Sequence, residues 1–585
     1  MNKYTVFFLG LSLAMAYAEE ASVGVSTSHM YKVNASTDIL GRHNSKVANT
    51  PKTFVATPKK NSALMRSYNE DVVIEASSGG YEKYKVNGTN HEKYWFNNND
   101  MDSATYVLNA ALYDARFANR INFQGINYVN YNYFNAIYSY SKEKNKYYGQ
   151  EKYIQDNKDG SREYFYNINT LIRENDIYYD AIAKKERGQG IGVYVAESAQ
   201  PNRDEAKFTP IYTCPDRPSG GSIHHVGMIT KIINHLASEA TVYTVDRGCL
   251  SNQDDVYPTR PDLYSPDPIY IGNHSYGLGS DAYYENKVKF VDDYVYNTRV
   301  IEVASAGNSA KLYNKNVSPT GRGMNVITVG AANRLESGEY AYDDETSIKN
   351  PRLKEDKFYD YDKPEIINMA NVFFNKGATY TYNYNGANSF PPIFDETSSA
   401  TPYTVGMIAD LLHQKPFYKW HPEVVKALLL TSSVMSLAHN THQQEDIDSN
   451  TNKLIGRGMP LYSAMIDGNR SRYWLGNKDD FFKNEQIIFE EPNITAGNTY
   501  RIAIAWLVEG KYLLENKEIA QDFDLRVSQP GSTDETSYSY NNPFEMVEFT
   551  AKNNKNLTIT INRFHNRGNN RVMLGYNLYE VPKKN

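Results

Sequence analysis

Residues 396–412 read Glu-Thr-Ser-Ser-Ala-Thr-Pro-Tyr-Thr-Val-Gly-Met-Ile-Ala-Asp-Leu-Leu. Small and hydroxyl-bearing residues come first, and the apolar run after them predicts a helix. Ser398 then lies at or near the helix N-terminus, and Pro402 is tolerated near a helix start because first-turn N–H groups have no intrahelical acceptor. The positive end of a helix favours a nucleophile whose reaction develops an oxyanion. Ser398 is therefore a candidate nucleophile, and a serine that only caps the helix is the alternative.

Two upstream segments carry further candidate catalytic groups. The apolar run 193–196 ends at Glu197, and a carboxylate at the carboxyl end of a strand lies where open α/β sheets bind ligands. Residues 221–230 read Gly-Ser-Ile-His-His-Val-Gly-Met-Ile-Thr, and apolar spacing predicts a helix over 222–237. His224 and His225 lie on its first turn. Neighbouring helical residues point about 100° apart, so only one of them can face a given partner, and surface or capping histidines are the alternative.

These three segments resemble, in content and order, the subtilisin-like serine peptidases. In that family a strand ends in the acidic residue, His-Gly-Thr-His-Val-Ala-Gly carries the base and Gly-Thr-Ser-Met-Ala-Thr-Pro carries the nucleophile. Residues 303–308, Val-Ala-Ser-Ala-Gly-Asn, resemble the family turn whose Asn completes the oxyanion hole. Residues 273–277, Asn-His-Ser-Tyr-Gly, resemble the strand that pairs with the substrate backbone. The resemblance covers about residues 188–465.

The resemblance implies a serine endopeptidase that acts through an acyl-enzyme on Ser398. Aligned on Gly227, it assigns the general base to His224, the orienting acid to Glu197 and an oxyanion donor to Asn308. It also implies a set of substrate-binding residues: Ser275, Tyr276, Gly277, Ser305, Ala306 and Gly307. Peptides or proteins are the implied substrates, and no cofactor or catalytic metal is required.

Several positions depart from the family pattern. The acid is Glu rather than Asp, Glu396 replaces a Gly and Ser399 replaces a Met. Choosing His225 as the base shifts the histidine block by one residue, and Asp204 is an alternative acid. A subtilisin-like fold with impaired catalysis, acting as a binding or adhesion protein, is the competing hypothesis.

The wider sequence predicts an α/β fold, a subtilisin-like doubly wound parallel sheet with flanking helices, in residues 186–470. Short apolar runs alternate with helices there, which is typical of a parallel sheet covered on both faces. Alternating runs over 480–585 predict an antiparallel β-sandwich. Residues 19–185 form a predicted N-terminal α+β segment, a propeptide or an accessory domain, with a helical pattern from residue 103 onward.

The first 18 residues predict a signal peptide. Lys3 precedes an apolar stretch, and residues 16–18, Ala-Tyr-Ala, form a small-x-small cleavage site, so we expect an exported, periplasmic or secreted chain. An oxidising compartment allows Cys214 and Cys249, the two cysteines, to form a disulfide, and two unrelated thiols are the alternative.

Composition limits the other function classes. The 585 residues carry a net charge of −6, which argues against a nucleic-acid binder. No apolar run of about 20 residues follows the N-terminus, so a membrane-spanning helix is not expected in the mature chain. Structural calcium is common in the resembled family, and residues 522–524, Asp-Phe-Asp, are a weak candidate site.

Overall fold

A computed structural model gives the fold over these residues: 31–35, 52–58, 80–86, 89–96, 152–156, 162–182, 185–201, 206–213, 222–247, 256–277, 283–308, 316–335, 339–343, 346–347, 361–374, 393–435, 437, 447–448, 451–452, 456–540, 542–567 and 571–581. The chain divides into two compact units. The first contains residues 1–186 and 372–393, and the second contains 187–371 and 394–585. Except for residues 186 and 372–393, the predicted peptidase region lies in the same unit as the predicted sandwich.

The strands, in chain order, are β1 Tyr31–Ala35, β2 Lys52–Pro58, β3 Gly80–Val86, β4 Thr89–Phe96, β5 Lys152–Asp156, β6 Arg162–Asn167, β7 Gly192–Glu197, β8 Thr209–Tyr212, β9 Thr241–Asp246, β10 Ile269–His274, β11 Ile301–Ser305, β12 Ile327–Arg334, β13 Tyr340–Tyr342, β14 Ile366–Met369, β15 Val372–Phe373, β16 Ile393–Phe394, β17 Ile447–Asp448, β18 Thr451–Asn452, β19 Asn469–Asn477, β20 Gln486–Glu491, β21 Thr499–Trp506, β22 Gln521–Ser528, β23 Glu535–Ser537, β24 Phe544–Thr550, β25 Leu557–Asn566 and β26 Arg571–Val581. The α-helices are α1 Ile168–Glu174, α2 Ser222–Leu236, α3 Asn286–Thr298, α4 Glu396–Gln414, α5 Pro422–Ser432, α6 Tyr462–Ile466, α7 Lys478–Phe481 and α8 Gly510–Asn516.

The first unit contains more strand than the sequence pattern predicts. Strands β1 to β4 form an antiparallel sheet in the order β1-β2-β4-β3. The helical pattern predicted from residue 103 is wrong for 152–156 and 162–167, where β5 and β6 pair as antiparallel strands. The aromatic residues of β6, Tyr164 to Tyr166, favour a strand over a helix. The predicted signal peptide lies outside the described residues.

The predicted parallel sheet is confirmed in the second unit. Its order is β13-β12-β11-β10-β7-β9-β8, with β14 also beside β12, and every pair is parallel except β12 with β13. After β7 the chain builds β8 and β9 on one side, and it then crosses to build β10 on the other. Such a reversal opens a crevice at the carboxyl ends of the two central strands. Glu197 ends β7 and Ser275 directly follows β10, so both lie at this crevice.

Helices α2 and α4 carry the histidine and serine segments and pack closely together. An added side chain at Gly406 of α4 would place its Cβ 2.7 Å from the Cβ of Leu236 in α2. Real Cβ contacts are never this short, so glycine is what permits the approach. The apolar residues of α2, including Val226, Ile229 and Ile233, are fully buried. The close contact lies between the middle of α4 and the last residue of α2.

Residues 469–581 form two antiparallel four-stranded sheets, ordered β19-β26-β21-β24 and β20-β25-β22-β23. Their inward-facing side chains form a single apolar cluster, to which Ile502 and Leu574 contribute from one sheet and Leu525 and Ile559 from the other. The same cluster includes Val288 of α3, in the predicted peptidase region.

Candidate active site

A cleft of about 340 Å³ opens at the carboxyl ends of β7 and β10. Polar side chains from distant parts of the chain converge on it. Its lining residues are Glu197, Ser198, His225, Ser275, Tyr276, Gly277, Ser305, Gly307, Asn308, Thr397 and Ser398. A nucleophile, an imidazole, a carboxylate and a primary amide therefore share one cavity.

The structure brings His225, and not His224, into this cleft. The Nδ1 atom of His225 lies 3.5 Å from Oε1 of Glu197. His224, the predicted base, is not among the residues that line the cleft, whereas the alternative, His225, is.

Burial and nearby charges act in opposite directions on His225. Burial lowers the pKa of the imidazole, but the charge and hydrogen bond of Glu197, together with the charge of Asp395, outweigh it. The net result is a pKa raised above the ordinary value of 6.5, although the positive charge of Arg247 counteracts part of the increase. Glu197 itself is 3% exposed, and its Oε2 accepts a hydrogen bond from the Ser198 N–H. Glu197 thus favours the protonated form of the His225 imidazole.

Ser398 is the third residue of α4, and its side chain is half-buried in the cleft. The Ser398 hydroxyl donates a hydrogen bond of 3.2 Å to the backbone carbonyl of Ser275 rather than to His225. The sequence predicts Pro402 near the helix start, and in α4, which begins at Glu396, Pro402 lies in the second turn. Since proline has no N–H, the helical acceptor four residues earlier, the Ser398 carbonyl, loses its usual donor.

The orientation of the Asn308 amide is fixed by Thr397. Oδ1 of Asn308 accepts from the Thr397 N–H at 3.2 Å and from the Thr397 hydroxyl at 2.5 Å. A backbone N–H can only donate, so the atom facing Thr397 must be the amide oxygen. The amide NH2 of Asn308 is consequently the group left for the cleft that this residue lines. Sequence reasoning missed Thr397, although it occupies the Thr of the family motif.

The predicted substrate-binding residues divide into two groups. Ser275, Tyr276 and Gly277 line one wall of the cleft, and Ser305 with Gly307 line another. The sixth predicted residue, Ala306, is fully buried and does not line the cleft.

Gly307 shows why this turn contains glycine. Its φ of 97° lies in a region that other residues avoid, and an added Cβ would lie 3.1 Å from Oγ of Ser347. The Gly307 N–H donates to the Thr397 hydroxyl at 3.2 Å, which links this turn to the start of α4.

Glu396 has a backbone conformation that explains the glycine of the family motif at this position. Its φ is 56°, in the left-handed region, which costs a non-glycine residue about 1 kcal/mol. We expect Glu396→Gly to be more stable than Glu396→Ala by about 1 kcal/mol, because both remove the charge and only glycine relieves the backbone. Urea denaturation of both variants measures the difference. Equal stability would show that the left-handed conformation carries no cost here.

Two further predictions concern residues away from the cleft. Cys214, Cys249 and the alternative acid Asp204 lie outside the described residues, so the disulfide stays a prediction. Burial and then the charge of Asp524 raise the pKa of Asp522 to about 7, and calcium binding at residues 522–524 stays a prediction. Within the described ranges, no group of three or more acidic, His or Cys side chains is arranged to hold a metal ion.

Comparison with known proteins points to one family. Residues 217–458 match the Subtilase family of peptidases. No curated protein sequence matches the chain. Similar solved structures include fervidolysin from Fervidobacterium pennivorans, a keratinolytic enzyme related to subtilisin, with a TM-score of 0.36 and 14% identity over 65% of this chain and 53% of that one. This chain thus spans about half the length of that fervidolysin structure.

Two other structures show a comparable similarity. A serine protease of Aeromonas sobria has a TM-score of 0.35 and 11% identity, over 68% of this chain and 89% of that one. The PatG macrocyclase in complex with peptide has a TM-score of 0.34 and 12% identity, over 50% of this chain and 96% of that one.

Proposed function

Since residues 217–458 form a subtilase-family domain, we propose that this protein is a serine endopeptidase that uses Ser398, His225 and Glu197. The observation that supports this most directly is the single cleft that contains all three side chains, with Nδ1 of His225 facing Glu197. With its proton on Nδ1, beside Glu197, the neutral imidazole has a free Nε2 that can take the proton of an attacking hydroxyl.

The reaction begins with the Ser398 hydroxyl. It turns from the Ser275 carbonyl to His225, transfers its proton to Nε2 and attacks the scissile carbonyl. Glu197 holds the imidazole in position and stabilises the imidazolium, which then protonates the leaving amine. Hydrogen bonds in unliganded active sites often tighten only when substrate binds, so the resting orientation of Ser398 is compatible with this role.

Two donors support the oxyanion of the tetrahedral intermediate. The backbone N–H of Ser398 belongs to the first turn of α4 and has no intrahelical acceptor. The amide NH2 of Asn308 is the second donor, since Thr397 engages its oxygen. Removal of a comparable Asn donor in subtilisin lowers kcat about 10²–10³-fold.

An extended peptide is the substrate that this cleft accommodates. Residues 275–277 follow β10 without a strand partner of their own among the described elements, so a substrate segment can add there through backbone hydrogen bonds. The P1 side chain would then lie near Ser305 and Gly307. Export, which the N-terminal residues predict, would direct the enzyme to extracellular or periplasmic proteins. Among the described residues no helix has the length and apolar character needed to span a membrane.

A catalytically impaired binding protein is the second candidate. It is favoured by the Ser398 hydroxyl, which is hydrogen-bonded to the Ser275 carbonyl in place of His225. A fluorophosphonate probe separates the two candidates, because it reacts only with an activated serine. Stoichiometric labelling of the folded protein at Ser398, located by peptide mass spectrometry, supports the peptidase. Absence of labelling would contradict it.

Replacement of the acid tests the role of Glu197. We expect Glu197→Gln to lower kcat on the order of 10³-fold or more, because its amide N–H can favour the wrong imidazole tautomer. It should also move the acidic limb of the kcat/KM profile to lower pH, since the Glu197 charge and hydrogen bond raise the pKa of His225 above 6.5. Only deprotonated His225 acts as base, so a lower pKa makes the base available at lower pH.

Glu197→Asp is the matched control for this test. It keeps the charge on a shorter side chain, so we expect a smaller loss and an acidic limb close to that of the unmodified protein. A nearly normal kcat in Glu197→Gln, together with a collapse in Asp204→Asn, would assign the acid to Asp204.

A further inference from the structure

Arg247 directly follows β9 at the edge of the sheet where the active-site cleft opens. Asp246, the last residue of β9, is in register with Glu197, the last residue of β7. The guanidinium carbon of Arg247 lies 3.8 Å from the ring centroid of Tyr276, which lines the cleft. The positive charge of Arg247 also acts on the pKa of His225. Arg247 is therefore a cation beside the catalytic groups.

The Tyr276 hydroxyl is bonded to buried residues of the sheet. Its hydroxyl is 2.9 Å from Nδ1 of His274, and Nε2 of His274 is 2.7 Å from Glu302. Both His274 and Glu302 are fully buried, and Tyr194 donates a further hydrogen bond of 2.8 Å to Glu302. The ring on which Arg247 lies is thus anchored to the core of the sheet.

No carboxylate of the described residues neutralises the guanidinium group of Arg247. Its Nε is buried without a hydrogen-bond partner, and no described residue forms an ion pair with it. Glu197, the nearby buried acid, is paired with His225 instead. Stacking uses the flat face of a guanidinium and leaves the N–H groups at its edge, where a carboxylate binds with two parallel hydrogen bonds.

We propose that Arg247 forms a subsite for an acidic side chain of the substrate, so that the protein prefers Asp or Glu at one position close to the scissile bond. This inference rests on the proposed peptidase function. It adds a specificity that the arrangement of Ser398, His225 and Glu197 does not itself require.

Peptide binding tests the subsite independently of catalysis. The probes are fluorescein-labelled tetra-alanine peptides with Glu, Gln or Lys at one of the four positions, and the protein is the full chain carrying Ser398→Ala. Fluorescence anisotropy should show that, at one position, the Glu peptide binds about tenfold more tightly than its Gln counterpart, the effect of one charge-assisted hydrogen bond at a partly exposed site.

Three further variants assign the effect. Arg247→Gln should abolish the preference for Glu, and Arg247→Glu should reverse it in favour of Lys. Arg526→Gln, which removes an exposed arginine paired with Asp534 in the C-terminal sheets, should leave the preference unchanged. A Glu peptide that binds no better than the Gln peptide at any position, or a preference that survives Arg247→Gln, would overturn the proposal. Fluorophosphonate labelling reports separately on the proposed peptidase, so the two can fail independently.

Discussion

Ser398→Ala is expected to lower kcat for peptide hydrolysis about 10⁶-fold, the loss that follows removal of the triad serine in subtilisin. Among the described residues, Thr397 presents the other hydroxyl of this helix start to the cleft, and that hydroxyl is already bonded to Asn308 and to the Gly307 N–H. The change removes a single half-buried oxygen, and the thermal unfolding temperature should stay close to that of the unmodified protein. Hydrolysis of a fluorogenic peptide, followed over hours, measures the remaining rate.

Ser399→Ala is the matched control for this experiment. Ser399 is adjacent in the chain but fully buried, and its hydroxyl is among the buried polar atoms for which the described residues offer no hydrogen-bond partner. Its removal should leave kcat nearly unchanged and should not destabilise the fold, because an unsatisfied buried hydroxyl contributes nothing favourable. Activity that persists in Ser398→Ala and disappears in Ser399→Ala would assign the nucleophile to Ser399.

His225→Ala is the second change for which we expect a loss of about 10⁶-fold in kcat, since the serine and the histidine of such a site act as a unit. Combining it with Ser398→Ala should cost little more than either change alone, because removal of one member already disables proton transfer. The rate of fluorophosphonate labelling gives a second measurement, and it should fall together with kcat.

His224→Ala separates the two adjacent histidines. His224 lies on the same turn of α2 but does not line the cleft. We therefore expect its replacement to change kcat less than tenfold, while any loss of packing would appear as a lower unfolding temperature. The opposite pattern, with a large loss for His224→Ala and a small one for His225→Ala, would restore the alignment on Gly227.

The sequence predicts the parallel sheet of the second unit well because its strands are short apolar runs that alternate with helices. It also predicts that Glu197, Asn308 and Ser398 lie together, since each belongs to an ordered motif. It does not decide between His224 and His225, because neighbouring helical residues differ only in direction, and that direction depends on how α2 packs against α4. Thr397 and Arg247 were missed because their roles depend on contacts with Asn308 and Tyr276, across the fold.

Other parts of the fold could not be predicted for similar reasons. The helical pattern before residue 185 is weak, and cross-strand pairing in β5 and β6 overrides it. For residues 480–585 the sequence shows only the alternation that predicts a sandwich. Its contacts with the rest of the unit involve buried residues far apart in the chain, which no local pattern reports.

Those contacts have a consequence for how the protein unfolds. Asn325 and Val508 exchange two buried backbone–side-chain hydrogen bonds of 2.8 Å. Apolar side chains of α5, such as Ala427 and Leu430, share a cluster with Ala503 of β21. An adhesive domain on a linker would melt on its own, and so would a peptidase freed from it. Here, loss of either half exposes the interior of the other, so we expect calorimetry to show one cooperative transition for residues 187–371 and 394–585 together.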